Sequence, residues 1–417
     1  MALKIIVAHP AQQHSYKTAV ALKKNNHLFK YITTVYNKDN SLTRLILKFL
    51  KGDFFERASN RRTDNLSDTD VKQFCELESL ILLILQRVDK KKYFYNSLNK
   101  HINKKFNKKL VEFSIKNNID MLILYDKYAS SAFEELNKKK SSTIKVLDCS
   151  APNFSYMNDI FYNYLVSKNI NNKKYLDEFL SNEFNDIKND SIRELKFSDY
   201  FLSASTFTTK SLLASNINKN QIYQCSYGIE VQKNYKSTRV LGSDNELKCL
   251  FVGRVTYKKG ALELFKAIEK LNTNKFHFTF VGSYDSEDEY IYKYKNIYDF
   301  KGHVPKKHMS DIYRNADILI FPSLADGYGL SVIEALSYGL PVLCSTNSGA
   351  SDIIKDGING FLIDPLNDNN ITEKLCWLEN NRSLLNNFSK NAILSAKENS
   401  TGKYEENIIS MVESILK

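Results

Sequence analysis

Short apolar runs alternate with amphipathic stretches along most of the chain. KIIVAHP (Lys4 to Pro10), MLILYD (Met121 to Asp126) and TIKVLDC (Thr143 to Cys149) are mostly apolar, as is typical of strands that are buried on both faces. The segments SYKTAVALKKN and SSAFEELNKKK, which follow the first two runs, have the apolar spacing of amphipathic helices. This order predicts βαβ units with a parallel sheet.

The alternation stops after Gly228 and restarts after residue 245. The segment between is polar, contains Gly and Ser, and has little periodicity, which indicates a linker. KCLFVG, FHFTFVG, ADILIFPS and LPVLCS then have strand patterns separated by helical segments. We predict an α/β protein with a first domain at 1–228, a linker at 229–245, a second domain at 246–400, and a terminal helix at 401–417 that could cross back to the first domain.

The composition is that of a globular protein with two or three domains. The chain has 417 residues, of which 43% are apolar and 25% are charged, and a domain has roughly 150 residues. No apolar run approaches the ~18 residues of a membrane span, and the run from Leu80 to Leu85 predicts a buried helix. The start of the chain lacks a signal-peptide pattern, and the six cysteines have no CxxC spacing. We therefore expect a cytoplasmic protein with reduced thiols.

The loops that follow strands are the places to look for a ligand site in a parallel sheet. In FVGRVTYKKGALELF, Gly253 ends a strand, Arg254 and Lys259 follow, and Gly260 opens a helix. Free backbone N–H groups and two cations favour a phosphate at such a loop. The alternative is a basic loop exposed to water.

A second loop of this kind lies in FPSLADGYGLSVIEALSYGLPV. Its Gly-x-Gly turn lets the backbone approach a ligand closely, and Asp326 and Glu334 lie on either side of the turn. A carboxylate at Glu334 can accept hydrogen bonds from two neighbouring sugar hydroxyls. The alternative is structural: Glu334 would complement the helix dipole and Asp326 would form an Asx turn.

Taken together, the two loops resemble the retaining family-4 glycosyltransferases. VGRVTYKKG is similar to the diphosphate loop of that family, and PSLADGYGLSVIEALSYGLPV is similar to its glycine-and-acid motif. SDYFLSASTFTTKSLLASNINKNQIYQCSYGIE, FKGHVPKKHMSDIYRNADILIFPS and SGASDIIKDGINGFLI resemble further segments of the family in the same order. The resemblance implies the GT-B fold, in which two Rossmann-like parallel-sheet domains face each other across a cleft.

The resemblance also implies an activity. It predicts a retaining hexosyltransferase that moves a sugar from a nucleotide-diphosphate-sugar donor to a glycan or lipid-linked acceptor, with no metal and no other cofactor. Arg254 and Lys259 would stabilise the leaving diphosphate, Glu334 would hold the ribose, and Asp326 would contact the sugar. The remaining donor contacts that it implies are Gly253, His303, Val304, Gly327, Tyr328, Gly329 and Leu330. The expected role is in bacterial surface polysaccharide or glycolipid synthesis, as in lipopolysaccharide or capsule.

Two departures from the family pattern affect the substrates. The first acid of the motif is usually Glu, and here it is Asp326, so a sugar preference does not carry over. The first strand is followed by HPAQQHSYKTA where the family often has two glycines. The acceptor-side candidates are His9, Gln13, His14 and Asp148. His14 is expected to contact sugar or phosphate, or alternatively to cap the helix that follows it.

The formal charge of +12 fits anionic partners. LTRLILKFLKGDFFER and KKKYFYNSLNKHINKKFNKKL mix apolar ladders with lysines, and the second has Leu98, Ile102 and Phe106 at four-residue spacing. Such helices can lie on an anionic membrane, which predicts a peripheral location at the inner face of the cell membrane. The alternative is that the ladder packs on the sheet while the lysines face water.

Three other interpretations are less favoured. Another GT-B enzyme, such as a nucleotide-sugar epimerase, is disfavoured by the pattern from the Gly-x-Gly turn to Glu334. A nucleic-acid-binding protein is disfavoured because no recognisable binding motif accompanies the lysines, so we expect no nucleic-acid partner. Asp68 and Asp70 could be a metal-binding pair, but Ser67 or Asp68 better fits the N-cap of a helix over VKQFCELESLILLIL.

Overall fold

The computed structural model describes residues 3–11, 14–48, 55, 58–89, 92–228, 245–271 and 273–416, which form two parallel sheets. The first sheet contains seven strands: β1 Ile5–Ala8, β2 Leu28–Thr33, β3 Val71–Gln73, β4 Met121–Tyr125, β5 Ile144–Cys149, β6 Tyr200–Ser203 and β7 Ile222–Gln224. The second contains six: β8 Leu247–Val252, β9 Phe276–Val281, β10 Asp299–Gly302, β11 Ile318–Phe321, β12 Val342–Ser345 and β13 Gly360–Ile363. The predicted α/β class with two parallel-sheet domains is confirmed.

The α-helices cover the faces of these sheets. Those before the second sheet are Ser15–Lys24, Leu42–Leu47, Glu76–Val88, Tyr93–Lys116, Ser130–Lys138, Phe154–Ser167, Lys173–Leu180, Asn182–Phe197 and Thr206–Ala214. Those that follow are Ala261–Glu269, Glu289–Tyr292, Lys306–Arg314, Leu330–Ser337, Asp368–Asn380, Leu385–Glu398 and Thr401–Ile415. Among the described residues, no helix is long and apolar enough to cross a membrane.

Each sheet has a point at which the direction of winding reverses. The strand orders are β3-β2-β1-β4-β5-β6-β7 and β10-β9-β8-β11-β12-β13. The chain moves outward in one direction from β1 and then in the other from β4, and it does the same from β8 and β11. A crevice opens at the carboxyl ends of the two strands on either side of such a reversal. The topology therefore places one candidate ligand site after β1 and β4 and another after β8 and β11.

The prediction of one helix over VKQFCELESLILLIL was wrong at its start. The first three residues form the edge strand β3, which pairs with β2, and the helix begins at Glu76. Asp70 closes a turn before the strand by accepting a hydrogen bond of 2.7 Å from the Ser67 backbone N–H, and it also pairs with Lys23. Ser67 and Asp68 therefore do not cap this helix.

The prediction that Leu80 to Leu85 is buried was also wrong. Ile81 and Ile84 are exposed, and Ser79 is the one buried residue that the described helix Glu76–Val88 contains. This helix packs on Tyr93–Lys116 and, through Leu82, on the core cluster beneath it, and these contacts cover only part of its wide apolar band.

The apolar ladder of the basic helix Tyr93–Lys116 belongs to the core. Ile102 and Phe106 are completely buried beneath this helix, and Leu98 packs against the same cluster. Lys100 and Lys105 lie on its outer side, where they pair with acids of neighbouring helices. The alternative that the ladder packs on the sheet is therefore the one observed.

Two segments besides the linker connect the domains. Residues 229–244 of the linker itself lie outside the described residues. The helices Phe154–Ser167 and Lys173–Leu180 precede the linker in sequence, yet their apolar faces share a cluster with the second sheet. The terminal helix Thr401–Ile415 packs on Ser15–Lys24 of the first domain. Its Tyr404 hydroxyl lies 2.7 Å from Thr18 Oγ1. Both domains therefore contain segments that come from the other half of the chain.

Candidate functional site

The loop after β8 carries two cations. Gly253 has φ +149°, a conformation that favours glycine. Its carbonyl oxygen lies close to Gly282, so a Cβ on Gly282 would be only 1.9 Å from that oxygen. Arg254 is exposed, and we find no ion pair for it within the described part of the chain. Lys174 and, more weakly, Arg254 hold the pKa of Asp285 below its ordinary value. Arg254 is therefore available to an anion in solution.

Lys259 and Lys258 of this loop have different partners. Lys259 is half-buried, forms an ion pair with Asp326, and lies 6.0 Å above the Phe321 ring. Lys258 instead pairs with Glu178 of the helix Lys173–Leu180, 2.5 Å away. The side chain of Lys259 is thereby held at the loop after β11, whereas Lys258 contacts that loop through its backbone carbonyl, which accepts a hydrogen bond of 3.1 Å from the Leu324 N–H.

The carboxylate of Asp326 organises the loop after β11. Its Oδ1 accepts hydrogen bonds from the backbone N–H groups of Tyr328 and Gly329, at 3.2 and 2.8 Å, while Oδ2 takes Lys259. The first of these bonds is the Asx turn that the sequence left open as an alternative. Gly329 has φ +69°, so the turn needs glycine at this position.

Glu334 lies in the helix Leu330–Ser337 and has a buried tyrosine as its partner. The Tyr313 hydroxyl donates to Glu334 Oε2 at 3.0 Å, and burial followed by the nearby Glu334 charge raises the pKa of Tyr313. One carboxylate oxygen of this half-buried residue is thus fixed, and the other has no partner among the residues described. An oriented carboxylate of this kind can accept hydrogen bonds from hydroxyls of a ligand.

Gly327 is a point at which the two domains touch. A Cβ on Gly327 would lie 2.2 Å from the Ser150 carbonyl oxygen, in the loop after β5. Ser205, after β6, donates from Oγ to the Gly327 carbonyl at 2.8 Å. Since these loops follow strands, the carboxyl ends of both sheets face each other here.

The remaining donor-contact candidates differ in their surroundings. Tyr328 is buried, and its ring packs edge-on against Tyr227 at 5.4 Å, while Leu330 is exposed. His303 is exposed after β10, and the neighbouring Val304 packs partly on the core. The side chain of Tyr328 therefore belongs to the interdomain core, and only its backbone lies in the loop.

The acceptor-side candidates that the structure describes lie at the carboxyl edge of the first sheet. The His9 ring is buried between Tyr125, at 5.2 Å, and Tyr128, at 4.8 Å, and its Nδ1 accepts a hydrogen bond from the Ala11 N–H. Gln13 lies outside the described residues. Because β1 and β4 flank the winding reversal, His9 lies at the first candidate crevice.

His14 precedes the first helix, but its side chain forms no capping hydrogen bond. Its ring packs 3.9 Å from the Tyr227 ring, and burial, aided by His9 and Lys17, lowers the pKa of His14 to about 3. The imidazole is therefore neutral at physiological pH and acts on a ligand only as a hydrogen-bonding group.

Asp148, at the end of β5, is buried with the same aromatic group. The Tyr227 hydroxyl donates to its Oδ1 at 2.5 Å. Burial and, to a smaller extent, the nearby Asp126 raise the pKa of Asp148 to about 7, although the hydrogen bond from Tyr227 acts in the opposite direction. This carboxyl is covered by Tyr227 rather than open to a cleft.

Sequence reasoning missed the residues that position the site from a distance. Tyr313 fixes Glu334, and Ser205 holds the Gly327 carbonyl. Neither lies in a glycine-rich or charged motif, so no local signal identified them. The acidic segment DSEDEY, which suggests a solvated loop, contains Asp285 and Asp288, and both bind the first-domain helix Lys173–Leu180.

Comparison with known proteins finds a family similarity in the second half of the chain. Residues 235–395 match the family model described as glycosyl transferases group 1. An uncharacterized glycosyltransferase of Methanocaldococcus jannaschii is 33% identical over 134 residues, 31% of this chain and 34% of that protein, so the match spans about a third of the relative. An uncharacterized 41.2 kDa protein in the cps region of Klebsiella pneumoniae is 26% identical over 272 residues, 62% of this chain and 68% of that protein.

A solved structure shares the whole architecture. HepE of Anabaena, in complex with UDP, has a TM-score of 0.61 to this chain at 12% identity, and the superposition covers 99% of this chain and 100% of that one. Two parallel-sheet domains whose carboxyl edges face each other define the GT-B fold, which is confirmed. The match to the group 1 glycosyltransferase family model lies in the second half of the chain.

Proposed function

We propose that this protein is a retaining hexosyltransferase that moves a sugar from a nucleotide-diphosphate-sugar donor to a glycan or lipid-linked acceptor in surface polysaccharide or glycolipid synthesis. One observation carries the donor site: the loops with Arg254, Lys259 and Glu334 follow β8 and β11, the strands at the winding reversal. The fold neighbour HepE has been solved with UDP and with UDP-glucose, which supports a donor of this class. The relative in a cps region supports the polysaccharide context.

The two cations act where negative charge develops. In the proposed reaction the bond from the anomeric carbon to the diphosphate breaks, and the acceptor oxygen bonds to that carbon from the same face. The acceptor proton passes to the departing phosphate oxygen. Arg254 and Lys259 stabilise that phosphate, as preorganised charges do at other developing anions. This role is the one a metal ion has in many phosphoryl sites, so transfer is expected to survive chelation of divalent metals.

Turnover and nucleotide binding test this proposal separately. A thermal-shift screen over nucleoside diphosphates and nucleotide sugars should raise the melting temperature with the true donor class. Arg254→Ala and Lys259→Ala should each lower turnover by roughly 100-fold or more, as loss of an oxyanion donor does. Near-normal transfer by both variants would contradict the assignment. Isomerisation of the nucleotide sugar without an acceptor would instead favour the epimerase alternative.

We further propose that the protein docks on an anionic membrane through the helix Glu76–Val88. The exposed apolar residues of this surface are Leu42, Leu45, Leu77, Ile81, Ile84, Val88, Tyr93 and Phe94. Four of them recur at three- and four-residue spacing along one face of Glu76–Val88, so the helix has one apolar side in water. Exposed apolar surface of this extent marks an interaction site.

Charge supports a lipid surface as the partner. Arg44, Lys48 and Lys92 are exposed beside the apolar residues. The acids of the same region have internal partners: Glu76 binds Thr43, and Glu78 pairs with Lys105. Asp89 accepts from the Tyr95 N–H, and the exposed cations outnumber Glu76 and Asp89, whose hydrogen-bond partners among the described residues are neutral. The net charge beside the apolar residues is therefore positive, as a helix lying on an anionic leaflet requires.

Vesicle co-sedimentation tests this surface. Ile84→Glu should reduce binding to vesicles of phosphatidylglycerol and phosphatidylcholine at least tenfold, whereas wild type should bind pure phosphatidylcholine weakly. Leu394→Glu is the matched control, since Leu394 is also exposed but lies on Leu385–Glu398 of the second domain. Equal binding by Ile84→Glu and wild type, or a dimer that Ile84→Glu dissociates, would contradict the proposal.

A further inference from the structure

A pocket of about 230 Å³ lies at the carboxyl edge of the first sheet, separate from the loops of the second domain. Pro10 and Ala11 after β1, Thr34 after β2 and Tyr128 after β4 form its floor. The helices Glu76–Val88 and Tyr93–Lys116 form its wall, with the polar side chains Ser79, Gln86, Tyr95, Asn99 and Asn103 and the apolar Leu82, Leu83 and Ile102.

Arg61 is the cation of this pocket. It is half-buried, and burial lowers its pKa from the ordinary value. No carboxylate among the described residues pairs with its guanidinium. Its backbone is fixed, because its N–H bonds the Ala58 carbonyl at 3.3 Å and its carbonyl accepts from the Asn37 N–H at 2.9 Å. The neighbouring Arg62 differs, since it pairs with Asp39 and Asp68.

A second observation also indicates a ligand. Ser79 is only 5% exposed, lines the pocket, and its hydroxyl has no hydrogen-bond partner within the described structure. A buried polar group is normally paired, and leaving one unpaired costs about 1–3 kcal/mol. The side-chain amides of Gln86, Asn99 and Asn103 likewise have no partner among the described residues. Unpaired donors around one cation are the surroundings that an oxyanion requires.

We propose that this pocket binds a phosphate or carboxylate group of the acceptor. Arg61 would hold the oxyanion through two parallel N–H···O bonds, while Ser79 and the amides would complete its coordination. The apolar residues would receive the adjoining carbon chain or sugar ring. The proposal rests on the proposed function only in identifying the ligand as an acceptor. The acceptor class that it implies is an acidic sugar or a phosphate-linked glycan or lipid.

The position of the pocket fits an acceptor. It lies on the same edge of the first sheet as Ser150, which touches Gly327 of the loop after β11. A molecule anchored at Arg61 can therefore extend along this edge towards the second domain. The exposed apolar face of Glu76–Val88 is the opposite side of the helix that lines the pocket, which places the pocket beside the proposed membrane surface.

Direct binding to the full chain tests the proposal. Calorimetry would use two anionic probes, octyl phosphate and glucuronate, with octanol and glucose as neutral counterparts. We expect at least one anionic probe to bind wild type at least tenfold more tightly than its counterpart. Arg61→Gln should remove this preference, and Ser79→Ala should weaken it several-fold. Arg62→Gln is the matched control and should bind as wild type does.

The outcomes separate this pocket from the donor site. Preference for octyl phosphate indicates a phosphate-linked acceptor, and preference for glucuronate an acidic sugar. Equal binding of charged and neutral probes, or an unchanged preference in both Arg61→Gln and Ser79→Ala, would overturn the proposal. Nucleoside diphosphate should still bind Arg61→Gln as tightly as wild type. If no nucleotide binds wild type but the anionic probe does, the glycosyltransferase proposal fails and the pocket stands.

Discussion

At the residue scale, the carboxylate of Asp326 serves two partners. One oxygen holds the turn through Tyr328 and Gly329, and the other neutralises Lys259. A bound diphosphate would compete with this carboxylate for the lysine. In the absence of a ligand, Asp326 thus keeps Lys259 in position but also weakens its attraction for anions.

Asp326→Asn separates these two effects. The amide oxygen can still accept the two backbone hydrogen bonds, but the negative charge is lost. We expect a free nucleoside diphosphate to bind roughly three- to tenfold more tightly, about 1 kcal/mol, and Lys259→Ala to bind it more weakly, both measured by calorimetry. Asp326→Ala is the control that also loses the turn. If Asp326→Asn weakens binding as much as Asp326→Ala, the carboxylate itself contacts the ligand.

The raised pKa of the Asp148 carboxyl should make the free energy of unfolding depend on pH. Its pKa is about 7 in the folded protein and 3.8 in a model peptide, so the folded state keeps a proton that the unfolded state loses. Below about pH 4 this group contributes its full share to the free energy of unfolding. That contribution, up to about 4 kcal/mol, is lost as the pH rises through about 7. His14, whose pKa is lowered to about 3, acts oppositely and costs stability below its ordinary pKa of 6.5.

Asp148→Asn isolates this contribution, because the amide can still accept the Tyr227 hydrogen bond without titrating. Urea denaturation at pH 5 and pH 8 should show that wild type loses more unfolding free energy between the two values than the variant. His14 and all other groups are common to both proteins and cancel in the comparison. Parallel pH profiles would show that Asp148 is already ionised in the folded state.

The part of the site that could be predicted consists of residues that lie close together in the sequence. Arg254 and Lys259 share one short loop, and Glu334 shares a segment with the Gly-x-Gly turn, so their proximity follows from the chain itself. Tyr313 and Arg61 acquire their roles from tertiary contacts with distant segments. The partners of Asp326 could not be predicted either, since a turn and a ligand contact require the same carboxylate.

At the scale of elements, Gly327 limits how closely the domains approach. Gly327→Ala should leave the loop itself unstrained, because Gly327 does not have positive φ, but its Cβ would clash with the Ser150 carbonyl at 2.2 Å. We expect a larger radius of gyration by X-ray scattering and at least tenfold slower turnover, with unchanged nucleoside diphosphate affinity. Gly402→Ala, where the nearest atom would be 3.8 Å away, is the control. An unchanged radius and turnover would exclude this contact from the working conformation.

The elements themselves were well predicted wherever an apolar run was short and flanked by turns. β4, β5, β8 and β11 follow this rule because strands buried on both faces have nearly continuous apolar sequence. The helix Glu76–Val88 breaks it, since its apolar residues lie on the surface. A wide apolar band indicates burial against something, and sequence does not say whether that is the core of the same chain or another surface.

At the scale of the whole molecule, the two domains share their cores. Tyr164 and Tyr175 come from the first half of the chain, yet they pack on Tyr257 beside the second sheet. The Tyr164 hydroxyl donates at 2.8 Å to Glu263, whose side chain is fully buried and also contacts Lys168 and Lys266. The sequence could not predict that these helices pack on the second sheet, because they lie within the segment that forms the first domain.

Tyr164→Phe should therefore destabilise both domains together. It leaves one oxygen of the buried Glu263 without its hydroxyl donor, for an expected loss of about 1–3 kcal/mol of unfolding free energy. Fluorescence of Trp377, the single tryptophan, reports the second domain, and far-UV circular dichroism reports both. If the cores are shared, urea should produce coincident transitions with both probes, and the variant should shift both equally. Tyr162→Phe, exposed on the same helix, is the control. A shift of the fluorescence transition alone would show that the domains unfold independently, with Tyr164 acting only on the second.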